Sequence, residues 1–161
     1  MTEKKKKVSG DVTVAQNRRA RFDFDVEDTV EAGMVLQGTE VKSLRNAGGT
    51  ISDAWVEVDR GQLYLNAMKI AAYSHGTDAN HIPLRRRKLL MHGHEIDRLA
   101  DEVKKGLQLI PLSIYFKKGR AKVEVAVCRP RKKHDKRAAI KEKDQREELR
   151  RATSKHHRGE D

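Results

Sequence analysis

The amino-acid sequence predicts a mainly β fold: an OB-fold-like closed barrel of about six strands with two or three short helices, followed by a basic C-terminal tail that is disordered when free. Apolar and polar residues alternate in several short segments, which is typical of half-buried strands. Helical spacing occurs in fewer segments, and apolar residues become rare after Cys128. Barrel closure removes exposed strand edges. An SH3-like barrel is the alternative, since periodicity does not separate the two.

The strand pattern appears first near residue 21 and last near residue 127. Six segments show it: residues 21–26, 34–36, 54–59, 63–70, 107–116 and 121–127. The turn Asp59-Arg60-Gly61 separates the third segment from the fourth, and Lys117-Lys118-Gly119 separates the last two. The sequence therefore predicts two β-hairpins.

Two segments have helical spacing instead. Residues 39–45 place Val41 and Leu44 three positions apart. Residues 94–105 carry an apolar stripe at helical spacing and are followed by Gly106, a residue type that commonly ends helices. Both helices are short enough to accompany a small barrel.

The charge is uneven along the chain. The 161 residues hold 35 Lys or Arg and 24 Asp or Glu, a net charge of +11, and residues 129–161 alone hold 13 and 7 of these. We therefore divide the chain into a basic flexible arm (residues 1–14), the OB-fold-like barrel (15–128) and a basic tail (129–161). The tail is too poor in apolar residues to offset the entropy of ordering its backbone.

The tail nevertheless has the composition of a helix. Residues 135–152 contain no Gly or Pro, and Glu142 with Arg146 and Glu147 with Arg151 have the favourable four-residue spacing. We expect this segment to become helical against a partner.

Composition also excludes several classes of protein. No apolar run is long enough to span a membrane, and the first residues do not form a signal peptide. Cys128 is the only cysteine, so an internal disulfide is excluded, and a cytoplasmic location with Cys128 packed in the core is expected.

The sequence offers little support for catalysis or metal binding. The acidic residues between Asp23 and Glu31 have the spacing of a solvent-facing strand, and His92 and His94 have no third ligand at metal-binding spacing. No phosphate-binding loop or nucleophile motif is present. We therefore predict no enzyme activity, no metal and no cofactor.

Clusters of cations point to RNA. Arg18, Arg19 and Arg21 lie close together, and Arg85 to Lys88 form four consecutive cations. Such residues bind phosphate, and scarce aromatic residues disfavour a base-stacking platform, so recognition of folded RNA by shape and backbone is expected. A structural ribosomal protein and an OB-fold nuclease are the alternatives.

Six sequence pieces occur in a fixed order between residues 17 and 144: NRRARFDF, EAGMVLQGTEVKSLR, ISDAWVEV, HIPLRRRKLL, IYFKKGRAKVEVAV and KKHDKRAAIKEKD. Together they resemble the SmpB family, the SsrA-binding proteins that partner transfer-messenger RNA. The resemblance implies an OB-fold barrel that binds the tRNA-like domain of that RNA. It also implies delivery, with elongation factor Tu, to stalled ribosomes for trans-translation.

The resemblance also implies roles for particular residues. Asn17 and Glu31 match positions implicated in RNA binding, and Lys122 matches a basic position on the last barrel strand. With the Arg clusters, the predicted RNA-binding set is Asn17, Arg18, Arg19, Arg21, Glu31, Lys42, Arg45, Arg85, Arg87, Lys88 and Lys122.

The tail is implied to bind the ribosome, contacting small-subunit RNA in the decoding centre and the messenger channel. His134 aligns with a histidine that stacks there, and Asp135, Lys136 and Arg137 reproduce a motif required for accommodation. Arg131 and Lys132 complete the predicted set, preceded by Pro130 where many members have Gly. Because Pro fixes φ, the joint before the tail is expected to be stiffer.

Overall fold

The computed structural model describes residues 11–76, 79–131 and 133–157, which form a β-barrel with short helices and one long C-terminal helix. The strands are β1 (Val12–Gln16), β2 (Phe24–Met34), β3 (Gly49–Thr50), β4 (Trp55–Asp59), β5 (Gln62–Asn66), β6 (Lys69–Ile70), β7 (Arg87–Leu90), β8 (Gln108–Lys117) and β9 (Arg120–Pro130). The helices are α1 (Ala20–Asp23), α2 (Gly38–Arg45), α3 (Gly93–Lys104) and α4 (Lys133–His157).

The sheet closes on itself. Six strands pair in the order β8, β4, β5, β7, β2 and β9, and β9 pairs again with β8. Strand β1 adds to β8 beside this ring, while β3 and β6 form a separate two-stranded sheet. This confirms the predicted closed barrel.

Both predicted hairpins are confirmed. Strands β4 and β5 pair from Asp59 with Gln62, and β8 and β9 pair from Lys117 with Arg120. The central residues of both turns have positive φ: 50° and 72° at Arg60 and Gly61, and 50° and 75° at Lys118 and Gly119. Two-residue turns with this backbone match the twist of the strands that they join.

The amino-terminal half differs from the sequence prediction. Residues 21–23 belong to the helical turn α1, and the two short strands predicted for residues 21–26 and 34–36 are replaced by the single strand β2. Pairing with β9 along nearly its whole length keeps β2 continuous through its polar residues. Tertiary pairing therefore overrides the local pattern.

Three strands were missed: β1, the two-residue β3, and β7. Strand β1 begins at Val12, inside the segment predicted as a flexible arm, because residues 12–16 pair with β8. Residues 1–10 of that arm lie outside the described residues. Strand β7 was not predicted because its cations obscure the alternation of apolar and polar residues. In the structure Arg87 and Leu89 are buried, whereas Lys88 and Leu90 are exposed. The barrel also extends past residue 128, since β9 continues to Pro130.

The main core fills the barrel. The alternating residues Val123, Val125 and Val127 of β9 point into it, and helix α2 adds Leu44, which is fully buried. Helix α3 adds Ile96 and Leu99. Both predicted helices thus pack their apolar face against the barrel, which confirms the helical spacing read from the sequence.

A second, smaller core lies outside the barrel under α1. Its buried members are Ala20, Ile110, Leu112, Ala126 and Cys128, with Phe24 and Val26 packed against them. This cluster fixes α1 against β8 and β9. It also confirms that Cys128 is a packing residue.

Two residues separate helix α4 from the end of the barrel at Pro130. Pro130 pairs with Phe24, the Arg131 N–H donates to the Asp23 carbonyl at 2.9 Å, and Lys143 lies 4.8 Å from the Phe22 ring. Away from these contacts the helix is exposed to solvent: the exposed fraction is 51% for Ile140 and 69% for Leu149. The structure has residues 133–157 as a helix, while disorder of the free tail and its folding against a partner both stay predictions.

None of the described helices is long and apolar enough to cross a membrane.

The Cys128 thiol supplies a test of the second core. Burial raises the pKa of Cys128 to about 11, with a smaller contribution from the nearby Glu27 carboxylate. Since the thiolate is the reactive form, we expect the native protein to resist alkylation by iodoacetamide at about pH 8 and to be labelled fully in guanidinium chloride. Mass spectrometry counts the adducts. Labelling of the native chain as fast as free cysteine would contradict this packing.

Candidate nucleic-acid interface

The outer wall of the barrel carries a continuous polar surface across β2, β9 and β8. In one row of cross-strand neighbours, Leu90, Gly33, Lys122 and Tyr115 follow one another. In the next row, Glu31 lies beside Glu124, which lies beside Ser113. Paired residues on one sheet face are about 5 Å apart, so Glu31 and Lys122, which are distant in sequence, share one surface.

Hydrogen bonds order this surface. The Tyr115 hydroxyl donates to Glu31, and the Lys117 Nζ lies 3.7 Å from the same carboxylate. Burial and the Glu31 carboxylate raise the pKa of Tyr115, so this phenol stays a neutral donor. The Ser113 Oγ donates to Glu124 at 3.2 Å.

An open cavity of about 310 Å³ adjoins the second row. Its lining includes Asn17, Arg18 and Arg21 on one side and Leu112, Ser113 and Glu124 on the other. The Asn17 N–H donates to the Leu112 carbonyl at 2.8 Å, which continues the pairing of β1 with β8. Arg19 is exposed beside the cavity, immediately before α1.

The cavity lies at an irregularity in β8. The register of β8 against β9 shifts between Pro111 and Ser113, which leaves Leu112 as the extra residue. Such a bulge locally redirects side chains. Here Leu112 turns into the second core beneath α1, and α1 in turn presents Arg21 at the rim.

A second cluster of predicted residues meets at the start of α2. Glu40 is fully buried and binds two guanidinium groups, Arg85 at 2.6 Å and Arg87. Its carboxylate also accepts the Gln37 N–H at 2.9 Å, which caps the helix.

The predicted role of Arg87 as an RNA contact is wrong. Its side chain is 0% exposed, and besides Glu40 it donates to the carbonyls of Met68, at 2.6 Å, and Pro83, at 3.1 Å. Alternation along β7 places Arg87 inside, whereas Lys88 is exposed. Arg85 keeps a 29% exposed side chain while bound to Glu40.

The remaining predicted cations lie on the outside of α2. Arg45 stacks 4.4 Å from the Phe116 ring, and Lys42 lies 5.6 Å from the Tyr73 ring. Both are exposed. Arg86, the cation omitted from the prediction, stacks 3.7 Å from Tyr64 on β5 and pairs with Asp59.

The acidic and histidine side chains of the described residues also bear on metal binding. Among these residues, no group of three His, Cys, Asp or Glu side chains is arranged to hold a metal ion. Two acidic residues of β2 form ion pairs instead: Glu27 with Arg129, at 2.7 Å, and Asp28 with Arg98, at 2.5 Å.

Comparison with known proteins decides the family. The model of the SmpB protein family matches residues 14–155.

The chain belongs to the SmpB family.

Its relatives in this family are close. Proteins named SsrA-binding protein from Staphylococcus aureus strains Newman and MSSA476 are each 50% identical over 140 residues, which is 86% of this chain and 90% of theirs. A solved structure described as "tmRNA-SmpB: a journey to the center of the bacterial ribosome" is 44% identical, with a TM-score of 0.63 over 78% of this chain and 92% of the other.

The structure groups most predicted residues of this SmpB-family chain into two sets. Asn17, Arg18, Arg21, Glu31 and Lys122 lie on or beside the outer wall, and Lys42, Arg45, Arg85 and Lys88 lie around α2 and β7. In the tail, Arg137 lies in α4 and is exposed, and Arg131 is half-buried. His134, Asp135 and Lys136 fall within α4 with undescribed side chains, and Lys132 lies outside the described residues.

Sequence reasoning missed three residues on this wall: Ser113, Tyr115 and Glu124. Their period-two spacing within the predicted hairpin could have placed them on its outer face. The β8 bulge, which sequence alternation does not reveal, sets which side chains reach the cavity.

Removal of Glu40 tests the buried cluster. Glu40→Gln leaves Arg87 charged and unpaired in the core, so we expect the free energy of unfolding to fall by about 3–5 kcal/mol. Urea unfolding measures this. The control Asp28→Asn breaks the exposed pair with Arg98 and should cost less than about 1 kcal/mol. Equal losses in the two variants would show that burial does not set the effect.

The same cluster predicts a pH dependence. Burial alone raises the pKa of Glu40, but hydrogen bonds from Gln37, Arg85 and Arg87 outweigh it and hold the pKa below its ordinary value of 4.5. Glu40 therefore stabilises the fold fully above that value and loses its contribution as the pH falls through the folded-state pKa. We expect the stability difference between wild type and Glu40→Gln to be constant well above pH 4.5 and to shrink as the pH falls below 4.5. A difference that did not shrink would contradict the lowered pKa.

Proposed function

We propose that this chain binds the tRNA-like domain of transfer-messenger RNA and delivers it to stalled ribosomes for trans-translation. Membership of the SmpB family carries this proposal, because its relatives are named as SsrA-binding proteins and the solved relative is described with transfer-messenger RNA in the bacterial ribosome. The protein acts by binding, in the cytoplasm, without catalytic activity or a cofactor.

The outer wall is the proposed RNA-binding surface. It offers cations for phosphate at Arg18, Arg21 and Lys122, and it offers an uncharged amide at Asn17. Held on a closed barrel, these groups keep their spacing when RNA approaches, which suits recognition of a folded RNA by shape. Lys42, Arg45, Arg85 and Lys88 extend the surface.

The tail is the proposed ribosome-binding element. Helix α4 presents cations such as Arg137 and buries little apolar surface, so a partner rich in phosphate is needed to stabilise it. The proposed sites are small-subunit RNA in the decoding centre and the messenger channel. Elongation factor Tu is the proposed companion in delivery.

Truncation separates the two roles. A chain that ends at Arg129 keeps the barrel wall and lacks the tail, so we expect its affinity for the tRNA-like domain to stay within about twofold while peptide tagging on stalled ribosomes is lost. Filter binding and a reconstituted tagging reaction measure these. Equal loss of binding and tagging would refute the division of roles.

Salt dependence tests the wall. If Lys122 neutralises a phosphate, Lys122→Ala should reduce the slope of log affinity against log salt concentration by about 1. The control Lys105→Ala removes a lysine that follows α3 and pairs with Glu102 at 3.7 Å. An unchanged slope for Lys122→Ala, or an equal change in both variants, would show that Lys122 does not belong to the RNA-binding surface.

A further inference from the structure

The cavity beside α1 is lined by more kinds of functional group than binding of an RNA phosphate requires. Asn17, Arg18 and Arg21 line it, and no hydrogen bond of their side chains to another described residue is found. Leu112 supplies an apolar lining, and Ser113 and Glu124 complete the polar side. A phosphate would need only the cations and hydrogen-bond donors, so the apolar and carboxylate groups call for another explanation.

The carboxylate of Glu124 is the informative group. A negative charge beside Arg18 and Arg21 weakens attraction for phosphate, yet the fold orients this side chain by a hydrogen bond from the buried Ser113 hydroxyl to Oε2. Its other oxygen, Oε1, has no hydrogen-bond donor among the described residues. An oriented carboxylate accepts hydrogen bonds only, so its partner must offer N–H or O–H groups.

We propose that the cavity binds one unpaired nucleobase and that Glu124 selects guanine. The Watson–Crick edge of guanine carries two adjacent donors, N1–H and the N2 amino group, which match the two oxygens of one carboxylate. Uracil offers one donor on that edge, and adenine and cytosine offer an amino group beside an acceptor. Unpaired bases in RNA loops are read on this edge.

The surrounding residues fit this occupant. Arg18 and Arg21 lie where the phosphates that flank the base can be bound. Leu112 is anchored in the second core and cannot retreat without disturbing Ala20 and Cys128, so the lining is rigid. The inference rests on the proposed RNA-binding function and adds a base-selective site to it.

Inosine substitution tests the proposal, because inosine lacks only the N2 amino group. The tRNA-like domain is prepared with each unpaired guanosine replaced by inosine in turn, and affinities are measured for wild type and Glu124→Gln. At one position, inosine should weaken wild-type binding by about 5- to 100-fold. Glu124→Gln should weaken binding of the unmodified RNA similarly and abolish further loss from that inosine.

Glu57→Gln is the matched control. Glu57 lies on β4 and is not among the residues that line the cavity; it accepts a hydrogen bond from Asn66 at 2.9 Å, and its replacement removes the same charge. This variant should keep the full inosine effect. If Glu124→Gln does not fold, Glu124→Asp carries the test, because it retracts the carboxylate and should lose most of the discrimination.

The outcomes separate this proposal from the one on which it rests. No wild-type affinity for the tRNA-like domain would contradict the proposed function itself. Tight binding that no inosine alters, or a Glu124→Gln effect that is uniform across all RNAs, would overturn the base site alone. If a 2′-deoxy substitution weakened binding and inosine did not, Glu124 would be assigned to a ribose hydroxyl. That result would also overturn the base site.

Discussion

Pairing of β8 with β9 is the interaction on which the rest of the structure depends. It closes the ring, since β8 also pairs with β4 and β9 with β2. Its inner face supplies Ile114, Val123 and Val125 to the core, while its outer face forms the polar wall. The same two strands therefore hold the fold together and carry the candidate interface, so the interface inherits the rigidity of the core.

The buried Glu40 cluster fixes a different part of the barrel. One carboxylate joins the capped start of α2 to Arg85 and to Arg87 on β7, and these are segments far apart in sequence. A buried ion pair of this kind contributes little net stability over an apolar substitute, but it penalises every arrangement that leaves a charge unpaired. Its effect is to set how α2 and β7 meet.

The sequence predicted the closed barrel, both hairpins, α2 and α3, because each has a local signature in its alternation, turn residues or helical spacing. It failed where pairing with distant strands decides the conformation. Residues 12–16 form a strand by pairing with β8. Arg87 is buried because the buried Glu40 carboxylate forms an ion pair with it. Grouping of Asn17 with Glu124 depends on the β8 bulge, which no periodicity reveals.

Pro130 has a geometric consequence for the tail. Because Pro130 is held in β9 against Phe24, and α4 begins at Lys133, the helix starts within three residues of the barrel wall. A straight helix of 25 residues is about 38 Å long. Whatever binds the barrel therefore also sets where α4 begins, and the length of the helix limits how far from that point its last described residue can lie.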